Sequence, residues 1–171
     1  AGEEMRIEFD ELLCAVGRSA RLEGFGLEEL GIPVGKTVQT DEYLQTVYPN
    51  ILAAGDVAVT PNPWAGRRLR LESWQNAQEQ GIAAARAALG LEVDYRPLPW
   101  FWSDQYGMNL QIYGVPAASH RVVLRGTPGA DSFVLFYLDG NVVNAALGPN
   151  AARDLRFARR LIEQRKPVDP Q

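Results

Sequence analysis

Two short runs hold the residues that could do chemistry: Leu52-Ala53-Ala54-Gly55-Asp56-Val57 and, further on, Glu72-Ser73-Trp74-Gln75-Asn76-Ala77. The apolar stretch 51–54 predicts a buried strand, closed by a glycine and then a carboxylate. The second run opens a long alanine-rich helix. A glycine lets another group come close to the backbone. An aspartate accepts hydrogen bonds from hydroxyls. The unpaired N–H groups and positive dipole end of a helix start favour negative charge. Together these suit a ligand that is part polyhydroxyl chain and part flat ring carrying anionic charge, and the ribityl and isoalloxazine end of a flavin dinucleotide is one. The candidate residues are Gly55, Asp56, Ser73 and Trp74. The Trp74 indole would pack on the ring edge and shield it from water. Such a site needs no side chain as acid, base or nucleophile, so none is assigned a catalytic role.

The rest of the composition narrows the class. A chain of 171 residues, 46% hydrophobic and 22% charged, is that of a soluble globular protein with one ordinary domain or two small ones. No apolar stretch approaches the roughly 20 residues that span a bilayer. The N-terminus lacks a basic, apolar signal sequence, which predicts a cytoplasmic protein. It also lacks an initiating Met, which suggests a piece of something longer. Cys14 is the sole cysteine, in the apolar run Leu12-Leu13-Cys14-Ala15-Val16, and is expected to be buried. A disulfide framework is excluded. His120, the sole histidine, is expected at the surface or a strand edge, and no metal site is foreseen. The net charge of -4 is uneven: 9 Lys/Arg against 15 Asp/Glu in residues 1–97, and 8 against 6 in 98–171. No concentrated basic face marks a nucleic-acid binder.

Elements to position these residues can be placed along the chain. Residues 7–10 and 11–16 predict two short strands. Leu27-Glu28-Glu29-Leu30-Gly31 predicts one helical turn stopped by glycine, and 37–40 an exposed strand. Residues 60–68, rich in Pro and Gly, predict an irregular loop. The helix should run from about Ser73 to Leu89 with Gly90 as its stop. Its stripe of Trp74, Ala77, Gly81, Ala84, Ala85 and Ala88 predicts close packing, tightest at Gly81. Tyr95-Arg96-Pro97-Leu98-Pro99 reads as a linker. Strand-like runs follow at 110–113, 121–125, 133–138 and 142–147, with Asp139-Gly140 as a hairpin signal. Asn150 should cap a closing helix whose apolar stripe is Ala151, Leu155, Ala158, Leu161 and Ile162. The expected fold is α/β plus α+β, divided into residues 1–97 and 98–171. The aromatic cluster 100–106 would lie at the seam.

Gly24-Phe25-Gly26 is dismissed as a turn, because position 29 is Glu and no strand leads into it. The phosphate-binding Gly-rich loops of complete nucleotide domains are absent, so the chain could hold only the ribityl and ring end of the cofactor. Arg67, Arg68 and Arg70, before the helix, and Arg153, Arg156, Arg159 and Arg160, on the last helix, read as solvated charge. The loop arginines are the better candidates for docking an acidic electron carrier.

With these segments in view, the chain resembles the C-terminal part of FAD-dependent NAD(P)H:ferredoxin reductases coupled to oxygenases. The resemblance is carried by Arg68-Leu69-Arg70-Leu71-Glu72-Ser73-Trp74-Gln75-Asn76-Ala77 and Pro99-Trp100-Phe101-Trp102-Ser103-Asp104-Gln105-Tyr106, and continues through 133–140 and 153–162. It implies that Asp56 binds the FAD ribityl chain, and that Trp74 and Trp102 lie near the isoalloxazine. It also implies a C-terminal fragment of a Rossmann-like FAD-binding domain followed by a small antiparallel α+β reductase domain. The implied reaction is hydride transfer from NAD(P)H to FAD, then single electrons to a [2Fe-2S] ferredoxin or a rubredoxin. The intact family implies a monomer; the fragment alone is expected to be inactive and could form a strand-exchanged dimer. Residues 10–18 and 26–31 look more like flavoprotein disulfide or mercuric reductases, which keeps that alternative open. A cofactor-free remnant serving as a binding or assembly module is the other.

Overall fold

The computed structural model describes residues 6–169. A three-stranded sheet comes first: β1 (Val38–Gln39) runs parallel to β2 (Ala58–Asn62), and β2 pairs antiparallel with β3 (Arg67–Leu69). A single 3₁₀ turn, Gly55–Val57, leads into β2. Helix α1 (Trp74–Ala88) follows β3. The second sheet contains β4 (Trp100–Gln105), β5 (Met108–Gly114), β6 (Arg121–Arg125), β7 (Val134–Asp139) and β8 (Val142–Pro149), in the order β4-β5-β8-β7-β6. All its neighbours are antiparallel. Helix α2 (Ala152–Gln164) covers one face, with Leu155, Ala158 and Ile162 buried against Tyr113, Val134, Leu138, Val143 and Ala146. The three helix positions share one side at helical spacing. The α/β plus α+β class holds.

Local signals placed several elements well. Ser73 caps α1, its Oγ accepting from the Asn76 N–H, and Gly90 takes φ +68° just past the helix end. The hairpin between β7 and β8 turns at Gly140, which has φ +56°. The turn at 27–31 forms, with the Leu30 N–H donating to the Gly26 carbonyl.

Other expectations are corrected. Residues 7–16 form no strand; they are irregular and exposed, Leu13 and Val16 each 91% open. A strand needs a partner for its backbone groups, and the described residues supply none here. Cys14 is therefore exposed, not buried. The buried strand at 51–54 reduces to one antiparallel bridge, Leu52 to Gln45. Residues 60–68 are not an irregular loop but the hairpin of β2 and β3. The Asn62 side chain accepts from the Trp64 and Ala65 N–H groups at its turn. Pro61 is tolerated because the pairing with β1 ends at Val59, so no N–H is required there. The aromatic run 100–105 is β4, an edge strand. Asn150 does not cap α2: Ala151 holds that position, and the Asn150 side chain instead accepts from Asn109 N–H and donates to the Asp131 carbonyl.

Helix α1 is turned differently from the expected stripe. Its buried residues are Asn76, Gln80 and Ala83, while Trp74, Ala77, Gly81, Ala85 and Ala88 are exposed. Gly81 has open space around it. The helix is anchored by polar side chains that answer backbone groups of neighbouring segments.

Candidate functional site

The site residues converge at the start of α1. Gly55 begins the 3₁₀ turn with φ +78°, a backbone conformation that suits a residue without a side chain. Gly55 packs on α1 at Ala77, and its buried N–H donates to Gln80 Oε1 at 2.7 Å. Gln80 is itself 1% exposed. This bond ties the tip of the turn to the helix one to two turns beyond its mouth.

Asp56 keeps 39% of its side chain open and pairs with Arg18 at 3.4 Å. Arg18 also lies 4.0 Å from Glu72, and Arg70 pairs with Glu72 at 3.1 Å while its Nε donates to the Asp56 carbonyl at 2.6 Å. Charges of alternating sign thus ring the helix mouth. Ser73 is occupied as the cap. The first N–H groups of α1, at Trp74 and Gln75, have no carbonyl within the helix to bond, as at any helix start. Trp74 is 67% exposed and meets Trp102 edge-on, with ring centroids 6.1 Å apart. An indole this open on a folded surface is free to cover a ligand.

Sequence reasoning missed the supporting residues. Arg18 fixes the carboxylate, Gln80 fixes Gly55, and Asn76 joins Tyr95 to the chain before the helix. The Tyr95 hydroxyl donates to Asn76 Oδ1 at 2.6 Å, and Asn76 Nδ2 donates to the Leu71 carbonyl at 2.8 Å. Burial pushes the Tyr95 phenol well above its ordinary range; Gln80 opposes the shift and the Glu79 charge adds to it. The available signal was Asn76 and Gln80 at i and i+4, two polar residues on one face of an alanine-rich helix.

Two of the loop arginines are not free for docking. Arg68 donates to the Thr40 carbonyl, and Arg70 is held as described; Arg67 is exposed. A separate cleft of about 280 Å³ lies between α1, the linker and β4–β5, walled by Ser73, Gln75, Glu79, Tyr95, Trp100 and Phe101 among others. Gly55, Asp56, Trp74 and Trp102 do not line it. Glu79 accepts from Gln75 on one oxygen, while its other oxygen is buried without a partner. Among the described residues no cluster could hold a metal ion, and no helix is long and apolar enough to cross a membrane.

Residues 1–81 match the family described as pyridine nucleotide-disulphide oxidoreductase, and residues 100–171 the one described as reductase C-terminal. The chain is 40% identical, over 95% of its length, to the ferredoxin–NAD(+) reductase component of the p-cumate 2,3-dioxygenase system of Pseudomonas putida, of which it covers 39%. It is 43% identical, over 82% of its length, to the corresponding component of the anthranilate 1,2-dioxygenase system of Burkholderia cepacia, covering 35% of that protein. In structure it is similar to the reductase of the covalent putidaredoxin reductase–putidaredoxin complex, with TM-score 0.77 and 33% identity over 84% of this chain and 34% of that one. The chain therefore spans little more than a third of the length of these relatives. Members of the family work with FAD and a pyridine nucleotide. By these matches the chain belongs to the pyridine nucleotide-disulphide oxidoreductases, with residues 100–171 matching the reductase C-terminal domain.

Proposed function

We propose that this chain is the flavin-ring portion and C-terminal domain of an FAD-dependent NAD(P)H:ferredoxin reductase serving an oxygenase system. Residues 1–97 are part of the FAD-binding domain and residues 98–171 the C-terminal domain. The observation that carries the reading is the exposed Trp74 at the mouth of α1, beside Trp102 and at the same helix end as Gly55 and Asp56.

These residues fit the ring end of FAD. The Asp56 carboxylate, part open and paired with Arg18, would accept from a ribityl hydroxyl. Gly55 lets the cofactor approach the backbone. The first N–H groups of α1 and its dipole would favour negative charge on a flavin ring held there. Ser73 holds the helix start in place, and Trp74 and Trp102 keep water from the ring edge. FAD supplies hydride acceptance from NAD(P)H and one-electron donation to a [2Fe-2S] ferredoxin, or in some relatives a rubredoxin. Arg67, exposed before α1, is suited to meet an acidic carrier. The intact protein works in the cytoplasm as a monomer. The isolated chain, with β1 and β3 at open sheet edges, is open to strand exchange into a dimer.

The test uses the intact reading frame with FAD, NADH and ferredoxin. Cytochrome c reduction that depends on ferredoxin is expected, and the purified protein should be yellow. Turnover of disulfide substrates with none on ferredoxin would move the protein to the thiol-dependent relatives. A colourless, inactive protein would favour the cofactor-free remnant.

A further inference from the structure

Four aromatic side chains run in an unbroken row from the mouth of α1 into the second sheet. Trp74 meets Trp102 edge-on at 6.1 Å between centroids, Trp102 stacks on Trp100 at 4.7 Å, and Trp100 stacks on Tyr113 at 5.8 Å. The strand register builds the row: Trp100 lies directly across from Tyr113 and Trp102 from Gln111, so alternate residues of β4 and β5 share one face. Exposure falls along it, from the open Trp74 to Tyr113 at 8%. Aliphatic side chains would satisfy packing alone. Every member here is instead an indole or a phenol, the side chains that most easily give up a single electron without being cysteine.

We propose that Trp74, Trp102, Trp100 and Tyr113 form a relay that draws an oxidising equivalent away from the mouth of α1, with the Tyr113 phenol as its end point. The one-electron oxidant is of the class of a light-excited, oxidised isoalloxazine, and only this identity rests on the FAD reading above. The oxidant gains one electron from Trp74 and is reduced. Trp102, Trp100 and Tyr113 then each give one electron to the neighbour before it. Tyr113 also loses its phenolic proton to water, so a neutral phenoxyl radical remains and all three indoles are restored. Direction follows from the last step: the indoles hold the charge only as cation radicals, which are penalised as exposure falls along the row, whereas loss of the phenolic proton leaves Tyr113 neutral. The Trp100 indole N–H, donated to Gln111 Oε1 at 3.3 Å, keeps its proton while charge passes.

The relay can be tested without flavin, so its failure is separate from failure of the FAD assignment. In the full 171-residue chain, Cys14→Ser combined with Gln78→Cys places a thiol on exposed helix surface one turn from Trp74. A ruthenium(II) tris-bipyridyl label there, flashed with ruthenium(III) hexaammine as external acceptor, leaves ruthenium(III) beside Trp74. Transient absorption should show an indole radical giving way to a phenoxyl radical. Tyr113→Phe should abolish the phenoxyl signal and leave the indole radical long-lived. Trp100→Phe should also abolish it, with the circular dichroism unchanged. Either variant alone decides the matter. Absence of phenoxyl in the labelled parent, or an undiminished phenoxyl yield in either variant, overturns the proposal.

Discussion

Replacing Gln80 by Met isolates the bond that holds the candidate cofactor turn to α1. Met has nearly the volume of Gln but offers no strong acceptor, so the buried Gly55 N–H, which now donates at 2.7 Å, would be left without a partner. An orphaned buried donor costs about 1–3 kcal/mol. For a domain of this size, that lowers the thermal midpoint by about 2–12 °C. The damage should also be local. Amide exchange at Gly55, followed by NMR, should speed up by about 5- to 150-fold, because the turn opens more often once the bond is gone. Gln78→Met, on the exposed side of the same helix, is the control and should stay within about 0.5 kcal/mol of the parent. If the Gly55 amide of the parent exchanges as fast as an open loop, or if Gln80→Met leaves both exchange and midpoint where they were, the bond does not hold the site and the reasoning fails.

Further outcomes follow from the same geometry. Gly114→Ala forces a side chain into φ +78° and sets its Cβ on the Asn144 carbonyl oxygen; left-handed strain and overpacking together should cost about 2–5 kcal/mol, read as a drop in the urea midpoint. Ser73→Ala removes the cap on α1 and should cost about 1 kcal/mol by thermal unfolding. Trp74→Ala should change stability by less than about 0.5 kcal/mol, since the indole is exposed, yet alter the visible spectrum and quench of flavin in the intact protein. The Tyr95 phenol is raised in the folded state above its ordinary 10.0. The folded chain therefore binds more protons than the unfolded one at alkaline pH. Its stabilising contribution is whole below pH 10.0 and is lost as the pH climbs past that value towards the folded pKa. Unfolding midpoints measured up this range should fall less steeply in Tyr95→Phe.

What could be read from the sequence was what short-range chemistry decides. Ser73 and Gly90 bracket α1 because caps act within a few residues, and β6 was legible because its short run Val122-Val123-Leu124 is rich in β-branched residues. The failures have long-range causes. Residues 7–16 have the composition of strands, but pairing depends on a neighbour that residue pattern cannot supply. The buried face of α1 departs from apolar periodicity: Trp74, Ala77 and Ala85 lie outside, and Asn76 and Gln80 inside. Asn76 and Gln80 are buried because they satisfy backbone groups at Leu71 and Gly55, which no periodicity reveals. Gly55, Asp56, Ser73 and Trp74 are candidates on the chemistry of the two runs alone. Trp102 entered only through family resemblance, since its approach to Trp74 bridges α1 and an edge strand not foreseen. Arg18 stayed hidden because its partner Asp56 is far along the chain.

The hairpin of β2 and β3 reaches the far end of the chain. Arg165, just past α2, places its guanidinium over the Trp64 ring at 4.9 Å and donates to the Pro63 carbonyl at 2.9 Å, while the Trp64 indole N–H donates to Arg96. A non-covalent clasp thus grips the covalent linker at Arg96 and ties it, through the Trp64 turn, to the end of α2. A strap held at Arg96 and tied across to Arg165 resists the swivelling that a loose one would permit, so the tryptophans on β4 keep their aim at the start of α1. A protease nick that frees the last dozen or so residues would unfasten more than a helix: it would let one sheet rotate against the other and disperse the aromatic row, though every residue in that row were left untouched.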